Sequence, residues 1–106
     1  MIIKRKLRYV LVECSRDFDP ASEGRGLEKE LLRVMGEHSF ADANPRFVDR
    51  CRGNAFVVSV NRGTERNAIL ALAFVKNIGG QDVGFYSIRT SGTMRKLLSD
   101  AKKLYA

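Results

Sequence analysis

The residues best placed to do chemistry lie where an apolar stretch gives way to a basic one near the C-terminus. Ser91-Gly92-Thr93 precedes Arg95 and Lys96, and Lys102 and Lys103 follow two turns later. Ser91 and Thr93 are both residue types whose side-chain oxygen caps a helix start. A helix N-terminus presents free N–H groups and a positive dipole end, which together suit a phosphate. Ser91, Gly92 and Thr93 are therefore a candidate cap and phosphate site, and Arg95 and Lys96 add to its field. At about 100° per residue, Met94, Leu97, Leu98, Ala101, Leu104 and Tyr105 fall on one side of such a helix. Arg95, Lys96, Lys102 and Lys103 fall on the other. A second basic run, Lys4-Arg5-Lys6, opens the chain. Neither run is interleaved with aromatics, so both suit neutralising a phosphate backbone better than reading bases.

No other constellation competes. The chain contains no GxGxxG and no Walker A pattern. His38 is the only histidine and, without an orienting partner, is read as a surface residue. Asp17 and Asp19 sit in a turn-like segment, where Asp is common for conformational reasons. Cys14 and Cys51 form no CxxC and, with one His, make a poor metal set. They are read as buried reduced thiols of a cytoplasmic protein. No catalytic residue, no metal site and no bound cofactor are expected on this chain. The net charge of +7 and pI near 9.9 favour a polyanionic partner. Twelve of the nineteen basic residues are arginines, which bind phosphate bidentately. No apolar run reaches the roughly 18 residues needed to span a bilayer, so no membrane partner is expected. The basic-then-apolar start fits a signal peptide badly, because Arg8 and Glu13 interrupt it and it alternates like a strand.

The elements that must position these residues follow from local pattern. Leu7 to Cys14 reads as a strand, and Asp17 to Gly26 as a loop marked by Asp-Pro, Ser and two glycines. Leu27, Leu31, Val34 and Met35 recur at helical spacing up to Gly36. Glu37 to Pro45 reads as a loop with at most one short helical turn. Arg46 to Cys51 and Ala55 to Asn61 flank Arg52-Gly53-Asn54 as a hairpin. Thr64 opens a second helix, apolar nearly all round from Asn67 to Val75 and hence expected to be well buried. Gly79-Gly80 breaks the chain, Gln81 to Thr90 gives a fourth strand, and the basic helix follows.

The order β-α-β-β-α-β-α begins with the split βαβ pattern. The fold class is α+β, ferredoxin-like and RRM-like: one domain over residues 1–106, a four-stranded antiparallel sheet with two helices on one face. The C-terminal amphipathic helix needs a place for its stripe, and the open sheet face is the nearest. That face is where an RNA recognition motif binds RNA. Arg52-Gly53-Asn54-Ala55-Phe56-Val57-Val58-Ser59 overlays the RNP1 pattern in part. However, Asn54 and Ser59 stand where base-stacking aromatics are needed. Tyr9 could serve as the RNP2 aromatic, but Tyr9 and Phe56 are expected to pack under the last helix.

Together, Arg8-Tyr9-Val10, Arg62 after the middle strand, the apolar helix ending near Ile78-Gly79-Gly80, and Ser91-Gly92-Thr93 before a basic helix resemble the archaeal ribonuclease P protein component 2 family. Its eukaryotic relatives are subunits of ribonuclease P and ribonuclease MRP. The resemblance runs from Lys6 to Leu104, and the chain departs from it at Ser59-Val60, where members often carry a basic residue and a cysteine. It implies a non-catalytic protein that supports the ribonuclease P RNA in removing the 5′ leader of precursor tRNA. The Mg²⁺ of that reaction belongs to the RNA. The implied partners are that RNA, the TIM-barrel-like component 3, precursor tRNA indirectly, and a second copy of the chain within the complex. The alternative from the residues is a free-standing single-stranded RNA binder of the RNA-recognition-motif type.

Overall fold

Leu7–Cys14 forms β1, a central strand whose near-continuous apolar run is explained by burial on both faces. The computed structural model describes residues 6–50 and 54–104. After β1 come α1 (Pro20–Met35), α2 (Glu37–Ala43), β2 (Arg46–Arg50), β3 (Ala55–Asn61) and α3 (Glu65–Phe74). A small hairpin of β4 (Asn77–Ile78) and β5 (Gln81–Asp82) precedes β6 (Phe85–Ser91) and α4 (Met94–Leu104). The main sheet has the order β2-β3-β1-β6, antiparallel throughout. The fold is α+β and ferredoxin-like, with α2, the small hairpin and α4 added to the six-element pattern.

Strand alternation sorts the core into two layers. Val10, Val12, Phe56, Val58 and Val60 face α1 and α3, meeting Leu27, Leu31, Ala68 and Leu72. Leu11, Ala55 and Val57 face the other way and are covered by Leu97 and Ala101 of α4, with Tyr9, Ile88 and Met94 at the margin. The last helix therefore covers the sheet face, as its stripe requires. Phe56 does not lie under it. Its ring sits 4.9 Å from that of Phe18 and 5.9 Å from that of Phe85, in the α1/α3 layer, because its β3 position has the opposite parity to Ala55 and Val57.

Several local expectations are corrected. The supposed loop Asp17–Gly26 is helical from Pro20 onward. Asp19 is its N-cap, accepting from the Ala21 N–H at 3.0 Å, and Pro20 opens the helix. Glu23 accepts from the Asp19 N–H at 3.1 Å and is held by Arg16 at 2.9 Å. The two glycines serve packing: a Cβ on Gly24 would lie 3.2 Å from the Phe47 ring, and one on Gly26 would lie 2.8 Å from Ile78 Cγ2. The segment after Gly36 is the two-turn helix α2, closed by Asn44 in the left-handed region (φ 45°). Gly79 and Gly80, with φ of 59° and 85°, form the tight turn between β4 and β5. The stretch Gln81 to Thr90 is thus two strands separated at Val83-Gly84. Helix α3 is less buried than expected, since a two-helix layer leaves its outer side, with Leu70 and Phe74, in solvent. Cys14 is buried, whereas Cys51, Arg52 and Gly53 lie outside the described residues.

Candidate nucleic-acid interface

Helix α4 begins where β6 ends, so the turn Ser91-Gly92-Thr93 is fixed by the sheet on one side and the helix on the other. Thr93 Oγ1 accepts a long bond from the Lys96 N–H at 3.4 Å, and Ser91 Oγ accepts from the Thr93 N–H at 3.2 Å. The stripe of α4 is narrower than its sequence suggests. Leu97 is fully buried, while Leu98 and Leu104 are 39% and 49% exposed. The sheet beneath offers only Leu11, Ala55 and Val57 as a strip, and a single row of α4 residues fills it. Tyr105 lies outside the described residues.

Arg95, Lys96, Lys102 and Lys103 are all exposed on the outer side of α4. Their relation to the helix dipole differs by end. Lys102 and Lys103 lie in the last turn, where cations are favoured, whereas Arg95 and Lys96 lie in a first turn that holds no acidic residue. Cations at a helix start raise the local positive potential, so that end is held at a cost an anion would offset. Arg89 of β6 approaches Asp100 of α4 at 3.9 Å, linking the helix to the sheet edge.

A second basic surface lies beside the start of α4. A cleft of about 490 Å³ is lined by Lys6, Leu7, Arg8, Tyr9, Arg62 and Gly92. The structure thus brings Lys6 and Gly92, both singled out in the sequence, to one place. Lys4 and Arg5 lie outside the described residues. Arg8 and Arg62 carry the family resemblance in the sequence, and Arg62 with Arg46, Arg50 and Arg66 is a reserve phosphate candidate there, but the sequence does not gather them with Lys6 and Gly92. The missing signal is strand register: the Arg62 N–H donates to the Lys6 carbonyl at 2.7 Å, which sets these two cations on neighbouring strands. Arg8 lies two residues along from Lys6 and therefore on the same strand face. Its Nε is 3.9 Å from Glu65 Oε2, is shielded from solvent and has no hydrogen-bond partner. Glu65 is otherwise engaged by the Gly63 N–H.

Other groups do not assemble. His38 is exposed on α2. Among the described residues no three His, Cys, Asp or Glu side chains gather as a metal site, and no helix is long and apolar enough to cross a membrane. Burial pushes the Cys14 thiol above its ordinary pKa, against the lowering pull of the Arg16 backbone and charge. Ser59 is buried, so the RNP1-like position on β3 offers nothing to stack a base.

Comparison with known proteins adds two findings. The model of the Rpp14/Pop5 family matches residues 8–102, nearly the whole chain. A chain in a solved structure, described as a cryo-EM structure of yeast ribonuclease MRP, aligns with a TM-score of 0.55 at 8% identity. The alignment covers 97% of this chain and 96% of the yeast one. At that identity the likeness speaks for the fold. Comparison with curated proteins gives no match.

Proposed function

The chain belongs to the Rpp14/Pop5 family, and from that premise we propose that it is a non-catalytic protein subunit of ribonuclease P. In this role it supports the catalytic RNA in removing the 5′ leader of precursor tRNA. The family match across residues 8–102 carries the proposal. Its chemistry is charge neutralisation. Exposed cations on α4 and around the cleft at the start of β1 meet RNA phosphates that would otherwise repel one another. Ser91, Gly92 and Thr93 set the helix start at which those two surfaces meet. The protein partner is component 3, and a second copy of the chain joins the assembly. Mg²⁺ is carried by the RNA, and precursor tRNA is met through the complex.

The reading as a free-standing RNA-recognition-motif protein is disfavoured by one observation. The sheet face on which such a protein stacks bases is filled by Leu97 and Ala101 of α4.

Reconstitution tests the proposal. Purified protein alone should cleave no precursor tRNA. Added with component 3 to the ribonuclease P RNA, it should lower the Mg²⁺ concentration needed for 5′ cleavage. Metal-dependent cleavage by RNA-free protein that survives repurification would overturn it, as would unchanged cleavage by the RNA.

A further inference from the structure

The cleft at the start of β1 is more specific than a patch of positive charge. Its floor comes from unequal strand lengths. The β1–β3 pairing runs to Leu7 opposite Asn61, but β6 stops at Ser91 opposite Tyr9. Residues 6–8 therefore have a strand neighbour on the β3 side only, and Gly92 lines the cleft where a Cβ on it would lie 3.4 Å from Arg8 Nη1.

Lys6, Arg8 and Arg62 line the cleft, with Arg62 opposite Lys6 on the β3 side. Like charges held on adjacent strands destabilise a sheet. Among the described ion pairs, only Glu65 approaches any of the three, at 3.9 Å from Arg8 Nε. That distance is too long for a hydrogen bond. The Nε donor is shielded from solvent beside Glu65 and makes no hydrogen bond, so an incoming acceptor meets the guanidinium at its terminal nitrogens, of which Nη1 lies against Gly92. A phosphate supplies acceptors in the paired geometry a guanidinium prefers.

The apolar wall comes from the opposite strand face: Leu7 and Tyr9 alternate with Lys6 and Arg8 and so lie on the α4 side, and a ligand must straddle the strand edge to touch both sets. Leu7 is 43% exposed and Tyr9 is half-buried. A duplex would use the cations and leave this wall idle, because its bases are stacked inside the helix. An unpaired nucleotide would use both.

We propose that this cleft holds one unpaired RNA nucleotide, its phosphate on Lys6, Arg8 and Arg62 and its base against Leu7 and Tyr9. The inference rests on the RNA-binding role proposed above and adds the strandedness of the RNA and the place of one nucleotide.

The test uses the full chain and a ten-nucleotide single-stranded RNA carrying 5-iodouridine, beside the same strand annealed to its complement. Irradiation should crosslink the single strand to Tyr9, and the single strand should bind more tightly than the duplex. Arg8→Lys keeps the charge and loses the fork, so it should weaken single-strand binding by about tenfold. Leu7→Ser, at an exposed position that tolerates change, should weaken the single strand several-fold and leave the duplex unaffected. Crosslinks confined to α4, with both variants binding like the parent chain, would overturn the nucleotide site while leaving the RNA-binding role intact. Failure to bind either RNA, alone or with component 3, would overturn both.

Discussion

Leu97 and Leu98 are neighbours in the chain and opposites in environment. Leu97 is fully buried against Leu11 and Val57, while Leu98 is 39% exposed at the margin of the same helix. Leu97→Asp should therefore destabilise the protein by roughly 3–5 kcal/mol in denaturant unfolding, since it removes a packed side chain and places a charge in a dry layer. Leu98→Asp should stay within about 0.5 kcal/mol, as exposed substitutions usually do. Equal losses would mean that α4 docks with a different face. Cys14 permits a pH prediction. Its thiol is raised above the ordinary 9.0 by burial first of all, so the folded chain holds the proton to higher pH than the unfolded chain. Its contribution is complete below pH 9 and is lost as pH rises from there through the folded value. The melting temperature should fall above pH 9, and Cys14→Ala should fall less steeply over the same window. The same scale shows what sequence can and cannot reveal of the site. Lys6 and Ser91-Gly92-Thr93 stand out by residue type. Arg8 shares a face with Lys6 by strand alternation, but Arg62 joins them only through the Arg62–Lys6 backbone bond, a long-range pairing no local window contains.

At the level of elements, α1 shows most clearly how tertiary contact redirects local preference. Gly24 and Gly26 look like loop residues, and a glycine inside a helix costs about 0.5–1 kcal/mol against alanine. Here they let α1 approach β2 and the β4–β5 hairpin closely. Gly26→Ala regains helix propensity but drives a methyl to 2.8 Å from Ile78 Cγ2, a branched atom with little room to move. Overpacking of this kind costs about 1–3 kcal/mol, so the change should be net destabilising. Ile78→Ala opens the space, and combining the two should recover part of the Gly26→Ala loss in a double-mutant cycle. Strictly additive losses would remove the packing explanation. The strands β1 and β3 were legible as short runs of β-favouring apolar residues and α4 by its helical stripe, because each signal lies within a single element. Strand β6 was legible only as part of a longer strand from Gln81. The start of α1, the second turn of α2 and the β4–β5 hairpin were not. Asp-Pro marks both a turn and a helix cap, and only Phe47 and Ile78, distant in sequence, decide which.

Across the whole molecule, whose net charge is +7, the cations of α4 are placed so that stability and the affinity for a polyanion would be coupled differently at its two ends. Arg95 and Lys96 face the positive end of the dipole, whereas Lys102 and Lys103 face the negative end. In the unbound protein the first pair should be mildly destabilising and the second mildly stabilising, by about 0.3–1 kcal/mol at low salt. For a polyanion lying along the outer side of α4, both pairs are simply positive charge. If about four to six phosphates are contacted, log K against log salt should have a slope of about −3 to −5. Replacing either pair by Gln removes two contacts and should flatten the slope by about 1.4–1.8. The stability effects should have opposite signs: Arg95→Gln with Lys96→Gln should raise the melting temperature at low salt, and Lys102→Gln with Lys103→Gln should lower it. Salt titration of RNA binding and thermal unfolding of the same two variants read both quantities. Unchanged slopes with RNA binding retained would move the phosphate surface off α4 and onto the cleft cations Lys6, Arg8 and Arg62. A flattened slope with melting shifts of the same sign would keep α4 as the RNA surface and remove its dipole as the reason for the cost of Arg95 and Lys96.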